Sequence, residues 1–462
     1  MRICALRQVV VAGFTTLLVT ATFPAVCSAT SENSANEQQS VAATVPASND
    51  ASPDVVVEGH QVSVTFEQQQ QQHQMQVSEA SGRDIEKERL LSVMSRNHGT
   101  WSSNHPRYRL LDALHGFAKY YERQREDTDR LRGLYKHVSG AQRKFLEEHV
   151  SYSSKFKKVE QRLAHNQHVC DDIVQASLQF YNIGMNELQE HMRDREAEGR
   201  QADKISISQS LKHIVRDWTE EGSHERDKPF ACLLGTLQRL FTERSRIDKP
   251  VKILLPGAGL GRLGHDISHL GGFEVTINEW SMFMNTAYRF LETQTRELSQ
   301  SVSPFVDGWS HHATDANMQR GLRFPDVPIQ SQNVLLVEGD FTTEFKNYSQ
   351  HYDVVLTYFF IDTARNLMSY FDTIKYVLKR GGVWINLGPL LYGTGPFVQL
   401  SLEDIVTVSE NMGFEFLETE EQCGVPTFGN PTVRSIKAAY QFDHKALTEN
   451  AYSAQFWVAR KL

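Results

Sequence analysis

Apolar residues follow two different rhythms along this chain. From about Asp84 to Gly222 they recur at helical spacing, with Leu110, Leu114, Phe117 and Tyr121 on one face and Phe145, Val150 and Phe156 continuing the apolar content. This predicts a helical N-terminal region over 81–248. Beyond Lys249 short apolar blocks alternate with helical stretches, and 252–255, 274–278, 334–337, 353–359 and 383–387 are the strand candidates. Strand alternating with helix predicts a parallel sheet, and so an α/β, Rossmann-like domain over 249–462. Gly381 and Gly382 supply the turn into the fifth strand, and Phe414 to Leu417 and Gln455 to Ala459 offer two late strands.

The first eighty residues follow neither rhythm. Residues 30–80 are rich in Ser, Ala, Asn, Gln and Val and include the tract Gln68 to Gln72, a composition that predicts a disordered linker. Residues 1–29 carry Arg2 and Arg7, an apolar stretch from Val9 to Val19, then Pro24, Cys27, Ser28 and Ala29, the layout of a secretory leader. The apolar run is too short to predict a stable membrane span. A misassigned start or an organelle-targeting leader fits the same residues. Cys4 and Cys27 would leave with a leader, and Cys170, Cys232 and Cys423 are an odd number, widely spaced, with no CxxC. The mature domain therefore reads as a reduced-thiol protein without structural zinc.

Composition narrows the partners. With 462 residues, 40% hydrophobic, 23% charged and a net charge of −8, the chain has enough apolar content for a sizeable core and no basic footprint for nucleic acid. The charge run from Glu122 to Arg132 reads as a solvated helix face. His311 and His312, near Asp307, lack further ligands at suitable spacing, so no metal is expected. Nothing in the pattern indicates an oligomeric state.

Candidate chemistry concentrates in ILLPGAGLGRLGHDISHLGGFEVTINEWS, residues 253–281. Ile253, Leu254 and Leu255 form a strand buried on both faces, and Gly257, Gly259 and Gly261 follow at once. Leu260, Leu263, Ile267 and Leu270 then return to helical spacing, which sets the glycines between a strand end and a helix N-terminus, where backbone N–H groups are free to meet a polar ligand. Glu279 ends the next strand, 22 residues after Gly257, near the offset of about 20 residues at which an acid reaches ribose hydroxyls. A dinucleotide fingerprint needs a small residue at 262, and Arg262 stands there. GxGxG with a following acid fits an S-adenosylmethionine turn better than a nicotinamide one.

Three further clusters fall at strand C-termini, the edge where open α/β sheets bind ligands. After Val334 to Val337 come Gly339, Asp340 and Phe341, an acid and an aromatic suited to an adenine amino group and ring face. After Val354 to Leu356 come Tyr358, Phe359, Phe360, Ile361 and Asp362, an apolar wall ending in a carboxylate. After Trp384 to Asn386 come Gly388 to Tyr392. The alternative for Asp340 and Asp362 is a helix N-cap.

PGAGLGRLGHDISHLGG with NEWS, FPDV at 324–327, GDF at 339–341, FFIDTA at 359–364 and GGVWINLGPLLY at 381–392 resemble the carnosine N-methyltransferase family, over about residues 100–462. The resemblance implies a seven-stranded methyltransferase domain, S-adenosylmethionine as methyl donor, and methylation of an imidazole nitrogen in a histidine-containing dipeptide. It implies Gly257 and Glu279 as contacts to the methionine and ribose parts, Asp340 and Phe341 around adenine, and Tyr358 lining that site. Arg216 matches an upstream cofactor contact, and His213 stands where the family has glutamine, one helical turn before it. Asp362 matches the carboxylate that binds the substrate imidazole, and so the catalytic group. Tyr452 matches a substrate tyrosine, with Tyr440 as a rival. Phe428 falls where the family often has another tyrosine, and Gly393 replaces a substrate-binding histidine after LLY. These departures leave a different acceptor, such as a protein histidine, or a cofactor-binding pseudoenzyme as alternatives. The resemblance implies cytoplasm or nucleus, whereas a working leader at 1–29 would imply secretory entry.

Overall fold

The computed structural model describes residues 82–244, 249–393 and 395–462. The leader expected at 1–29 and the linker expected at 30–80 lie outside the described residues. Eight helices come first: α1 (82–93), α2 (Pro106–Ala118), α3 (Tyr120–Tyr135), α4 (Gly140–Val150), α5 (Tyr152–Phe180), α6 (Met185–Ala197), α7 (Lys204–Trp218) and α8 (Ser223–Leu240). Their starts are written in the sequence: Asp203 accepts the amides of Ile205 and Ser206 ahead of α7, and Ser139 with Gln142 forms a capping box on α4.

The α/β part follows as β1 (Val251–Pro256), α9 (Arg262–His269), β2 (Phe273–Glu279), α10 (Met282–Leu291), β3 (Gln300–Val302), α11 (Asp315–Gln319), β4 (Leu322–Phe324), β5 (Val334–Glu338), α12 (Phe341–Glu344), β6 (Tyr352–Tyr358), α13 (Leu367–Val377), β7 (Leu378–Gly388), α14 (Leu402–Asn411), β8 (Phe414–Phe416), β9 (Val425–Pro426), β10 (Val433–Ala439) and β11 (Ala451–Lys461). All five strand candidates of the alternating region and both late ones are strands. The main sheet runs β5-β2-β1-β6-β7-β11-β10-β9, with β8 also on β11. Strands β5, β2, β1, β6 and β7 are mutually parallel, and β11 enters antiparallel between β7 and β10. The described sheet thus has nine strands where seven were expected. The surplus is β9, only two residues long, and β10, whose Arg, Ser and Lys interrupt its apolar signal.

Residues alternate between the sheet's two faces. Ile253 and Leu255 pack into a core shared with helices α2, α5, α7, α8 and α9, whereas Leu254 joins Trp384 and Trp457 beneath α13 and α14. The N-terminal helices therefore contribute to the same hydrophobic core as one face of the sheet. Phe156 is buried as its spacing suggests, but Phe145 and Val150 are 61% and 62% exposed, because α4 has no buried residue and touches chiefly α5.

One expectation is overturned. Cys232 on α8 and Cys423 are joined by a disulfide, leaving Cys170 as the free cysteine among the described residues. The two half-cystines are 191 residues apart, a pairing that spacing along a chain does not encode. Among those residues no helix is long and apolar enough to cross a membrane, and no cluster of three or more His, Cys, Asp or Glu could hold a metal ion.

Candidate active site

After β1 the chain steps outward to β2 and β5, then returns to β6 on the other side of β1. That reversal opens a crevice at the strand C-termini, the place where such sheets hold ligands. The glycine turn leaves β1 there and the Phe359 to Asp362 segment leaves β6 beside it.

Gly257, Gly259 and Gly261 all have positive φ, at 65°, 59° and 79°. A methyl group on Gly257 would lie 2.3 Å from the Phe360 ring, and one on Gly259 would lie 3.1 Å from Arg216 Nη2 and 3.7 Å from both Asp217 and His213. Helix α7 therefore lies directly over the turn. Glu279 closes it from the other side: Oε2 accepts the Gly259 amide at 3.0 Å and Oε1 accepts the amides of Trp280 and Ser281, each at 2.8 Å. Burial pushes the Glu279 carboxyl up, and these three N–H groups counter it.

Arg216 is buried and paired with Asp217, Nε to Oδ1 at 2.7 Å. Burial disfavours the Asp217 carboxylate, but the Arg216 guanidinium more than offsets that and holds its pKa below the ordinary value. Asp217 Oδ2 also accepts the Leu260 amide at 3.2 Å, which locks the turn to α7. The His213 ring sits 5.1 Å from that of Phe442; burial lowers its pKa to about 3, so it is neutral, and its Nδ1 is buried without a hydrogen-bond partner. Arg262 bonds Asp266 at 2.9 Å, Asp326 at 2.7 Å and the Asp217 carbonyl at 2.9 Å. The side chain that spoils a dinucleotide fingerprint thus ties α9 to the FPDV segment and to α7.

The crevice's second wall is aromatic. Phe359, at a positive φ of 50°, stacks on Tyr440 with ring centroids 5.0 Å apart and meets Tyr452 edge-on at 5.8 Å. The two rival tyrosines therefore flank one ring: Tyr452 pairs with Ala438 across β10 and β11, and Tyr440 follows β10. Tyr358 packs edge-on against Phe230 of α8. Asp362 lies in a 3-10 turn at Ile361–Thr363, 8% exposed, and Oδ2 accepts the Leu391 amide at 3.0 Å. Burial pushes its carboxyl up to about 6. The LLY segment is thereby folded onto Asp362, with exposed Gly393 two residues beyond the contact.

Gly257, Glu279, His213, Arg216 and Tyr358 converge on the turn and the neighbouring wall, and Asp362 with Tyr452 stands at the β6 end. Asp340 is exposed and caps α12, its Oδ1 accepting the Thr342 amide at 2.7 Å, so the N-cap alternative is realised for Asp340 and not for Asp362. Phe341 is buried against Phe360 and Tyr370, at 5.5 and 5.6 Å, as part of the core behind the wall. Sequence reasoning missed Asp217, adjacent to Arg216, and the stack of Arg109 over Trp280 at 3.7 Å. Arg109, from α2, also donates to the Trp280 carbonyl at 2.8 Å, and desolvation lowers its pKa to about 10. The W of NEWS was the available signal for that stack.

This architecture suits a nucleoside bearing an amino-acid tail. The turn presents backbone without side chains, and Glu279 spends three of its roughly four lone-pair sites on amides, leaving capacity for a hydroxyl.

The profile of the carnosine N-methyltransferase family matches residues 193–462. The carnosine N-methyltransferase of Schizosaccharomyces pombe is 36% identical over 276 residues, covering 55% of this chain and 70% of the relative. That of Mus musculus is 31% identical over 338 residues, covering 71% and 82%. Likenesses to solved structures are faint: a Synechocystis magnesium protoporphyrin IX methyltransferase superposes with a TM-score of 0.31 at 11% identity, covering 53% of this chain and 88% of that one. The fold reading rests instead on the chain's own strand order. On the extent of the profile match and of the mouse alignment, this chain belongs to the carnosine N-methyltransferase family.

Proposed function

We propose that the protein transfers the methyl group of S-adenosylmethionine to an imidazole nitrogen of a histidine-containing dipeptide, with carnosine, the acceptor named for its relatives, as substrate. The observation that carries this reading is a buried carboxylate, Asp362, set beside a cofactor-type glycine turn. Bound, S-adenosylmethionine supplies an electrophilic sulfonium methyl group. Gly257 and Arg216 hold its amino-acid tail, with His213 beside them; Glu279 holds the ribose; Asp340 and the backbone of Phe341 frame adenine, and Tyr358 lines the pocket.

Imidazole has an ordinary pKa of about 6.5 and is largely neutral at pH 7, so its nitrogen is nucleophilic without a strong base. Asp362 accepts the ring N–H, which fixes the tautomer that offers the other nitrogen's lone pair. As that ring gains positive charge, the adjacent carboxylate stabilises it in surroundings of low dielectric. Tyr440, Tyr452 and Phe359 wall off water and hold the ring, and orientation of this kind accounts for a large part of the rate. We assign this chemistry to residues 249–462, with 81–248 covering the cofactor through α7.

Methyl-labelled S-adenosylmethionine incubated with the protein and carnosine, homologous dipeptides or free histidine tests the reading. Label is expected on the imidazole ring of the dipeptides. Incorporation equal to that of a donor-only blank defeats it, and labelled protein bands without labelled dipeptide would assign the acceptor to protein histidine.

A further inference from the structure

A second buried carboxylate holds the chain that carries the aromatic wall and has no Lys or Arg paired with it. Glu225, on α8, is 2% exposed. Its Oε1 accepts two backbone amides, those of Gln441 (2.7 Å) and Phe442, immediately after Tyr440. Its Oε2 is buried and has no partner. The cations nearby belong to other acids: Arg216 to Asp217, and Arg226 to Asp326 at 3.1 Å. His224 Nε2 stands 3.7 Å from Oε1, the oxygen already used.

An ionised oxygen held out of water with nothing to bond is costly, and such groups are rare unless a ligand completes them. The position of Glu225 says which ligand. Five residues on, Phe230 packs against Tyr358, and the amides on Oε1 fix the backbone that carries Tyr440. Burial raises the phenol pKa of both Tyr358 and Tyr440, and the negative charge of Glu225 adds to it in each case, so the carboxylate lies within electrostatic reach of both rings. Tyr358 is in turn four residues before Asp362.

We infer that Glu225 anchors the terminal ammonium group of the acceptor dipeptide, at the opposite end of the substrate from the imidazole held by Asp362. This rests on the acceptor proposed above. A β-alanyl-histidine offers one imidazole and one primary amine, separated by a peptide bond and an α-carboxylate, and this part of the fold offers two buried carboxylates, Asp362 just after Tyr358 and Glu225 bonded to the chain just after Tyr440. An ammonium ion bonded to Oε2 gives that oxygen its missing partner and makes a charge-assisted hydrogen bond away from water. Glu225 is on this account a specificity-determining residue: it selects acceptors with a free amine and disfavours acylated ones and histidines within a protein chain.

Calorimetry on the protein loaded with S-adenosylhomocysteine tests this with two ligands, carnosine and N-acetylcarnosine. The wild-type chain is expected to bind carnosine on the order of 10- to 100-fold more tightly, the range for one hydrogen bond to a charged group. Glu225→Gln keeps an oxygen for the Gln441 and Phe442 amides, and is expected to weaken carnosine binding by that factor while leaving N-acetylcarnosine unchanged. Equal affinities for the two ligands in the wild-type chain overturn the inference without any variant. Equal weakening of both by Glu225→Gln also overturns it, because the residue would then only brace the loop. Amine-dependent binding without methyl transfer would remove the proposed function and leave this inference standing; transfer to carnosine with equal affinities would do the reverse.

Discussion

Glu279 Oε2 lies 3.0 Å from the Gly259 amide, so the acid that ends β2 and the glycine turn that follows β1 form one unit. Replacing Glu279 by Gln puts an amide donor where amide N–H groups already point. S-adenosylmethionine affinity measured by calorimetry is expected to fall on the order of 10- to 100-fold, the range for hydrogen bonds to a charged group, while carnosine affinity of the S-adenosylhomocysteine-loaded protein stays within about twofold.

Gly257→Ala meets two obstacles, a positive φ and the Phe360 ring 2.3 Å from the new methyl group. Left-handed strain costs about 1–2 kcal/mol and overpacking about 1–3 kcal/mol, so denaturant unfolding should show a loss of roughly 2–5 kcal/mol together with lost cofactor binding. Gly271→Ala has the strain without the clash, since nothing lies within 4 Å of its added carbon. It should cost only about 1–2 kcal/mol and leave cofactor affinity intact.

Asp217→Asn removes the partner of a buried guanidinium. A stranded buried charge costs about 3–5 kcal/mol, and the Leu260 amide loses a charged acceptor as well. Chemical unfolding should register that loss. A change below about 1 kcal/mol would mean that Arg216 has another anion to turn to.

The pKa of Asp362 gives two opposed consequences of one burial. Folding raises it from 3.8 to about 6, so the folded state favours the protonated acid: stability is lost as pH rises from about 4 through 6, and the full cost stands above that range. At about 1.4 kcal/mol per unit, Asp362→Asn should stabilise the protein by up to about 3 kcal/mol at pH 7.5 and by almost nothing below pH 4. The same variant should abolish turnover. In the wild-type enzyme the ionised form is needed, so kcat/KM should fall below about pH 6, added to the loss from protonation of the substrate imidazole itself.

Much of this was legible before the structure. The apolar blocks at 253–255 and 334–337 located strands because burial on both faces demands uninterrupted Leu, Ile and Val, and the glycine spacing with Glu279 located the crevice. What stayed hidden depends on distance in the chain. Cys232 meets Cys423, Glu225 meets Gln441 and Phe442, and Arg109 meets Trp280, and none of these pairings leaves a local pattern. The burial of Arg216 and its pairing with Asp217 were hidden too, because a helix of mixed composition does not announce which face is covered. Phe145 and Val150 were misleading for the same reason, since their apolar spacing sits on a helix that buries nothing.

A crystal structure with S-adenosylhomocysteine and carnosine bound tests the central claim most directly. The account predicts the product's sulfur above the glycine turn, one imidazole nitrogen within about 3 Å of an Asp362 oxygen, and the other nitrogen turned toward the sulfur. A dipeptide seated elsewhere, or an Asp362 carboxylate facing away from the ring, would contradict it.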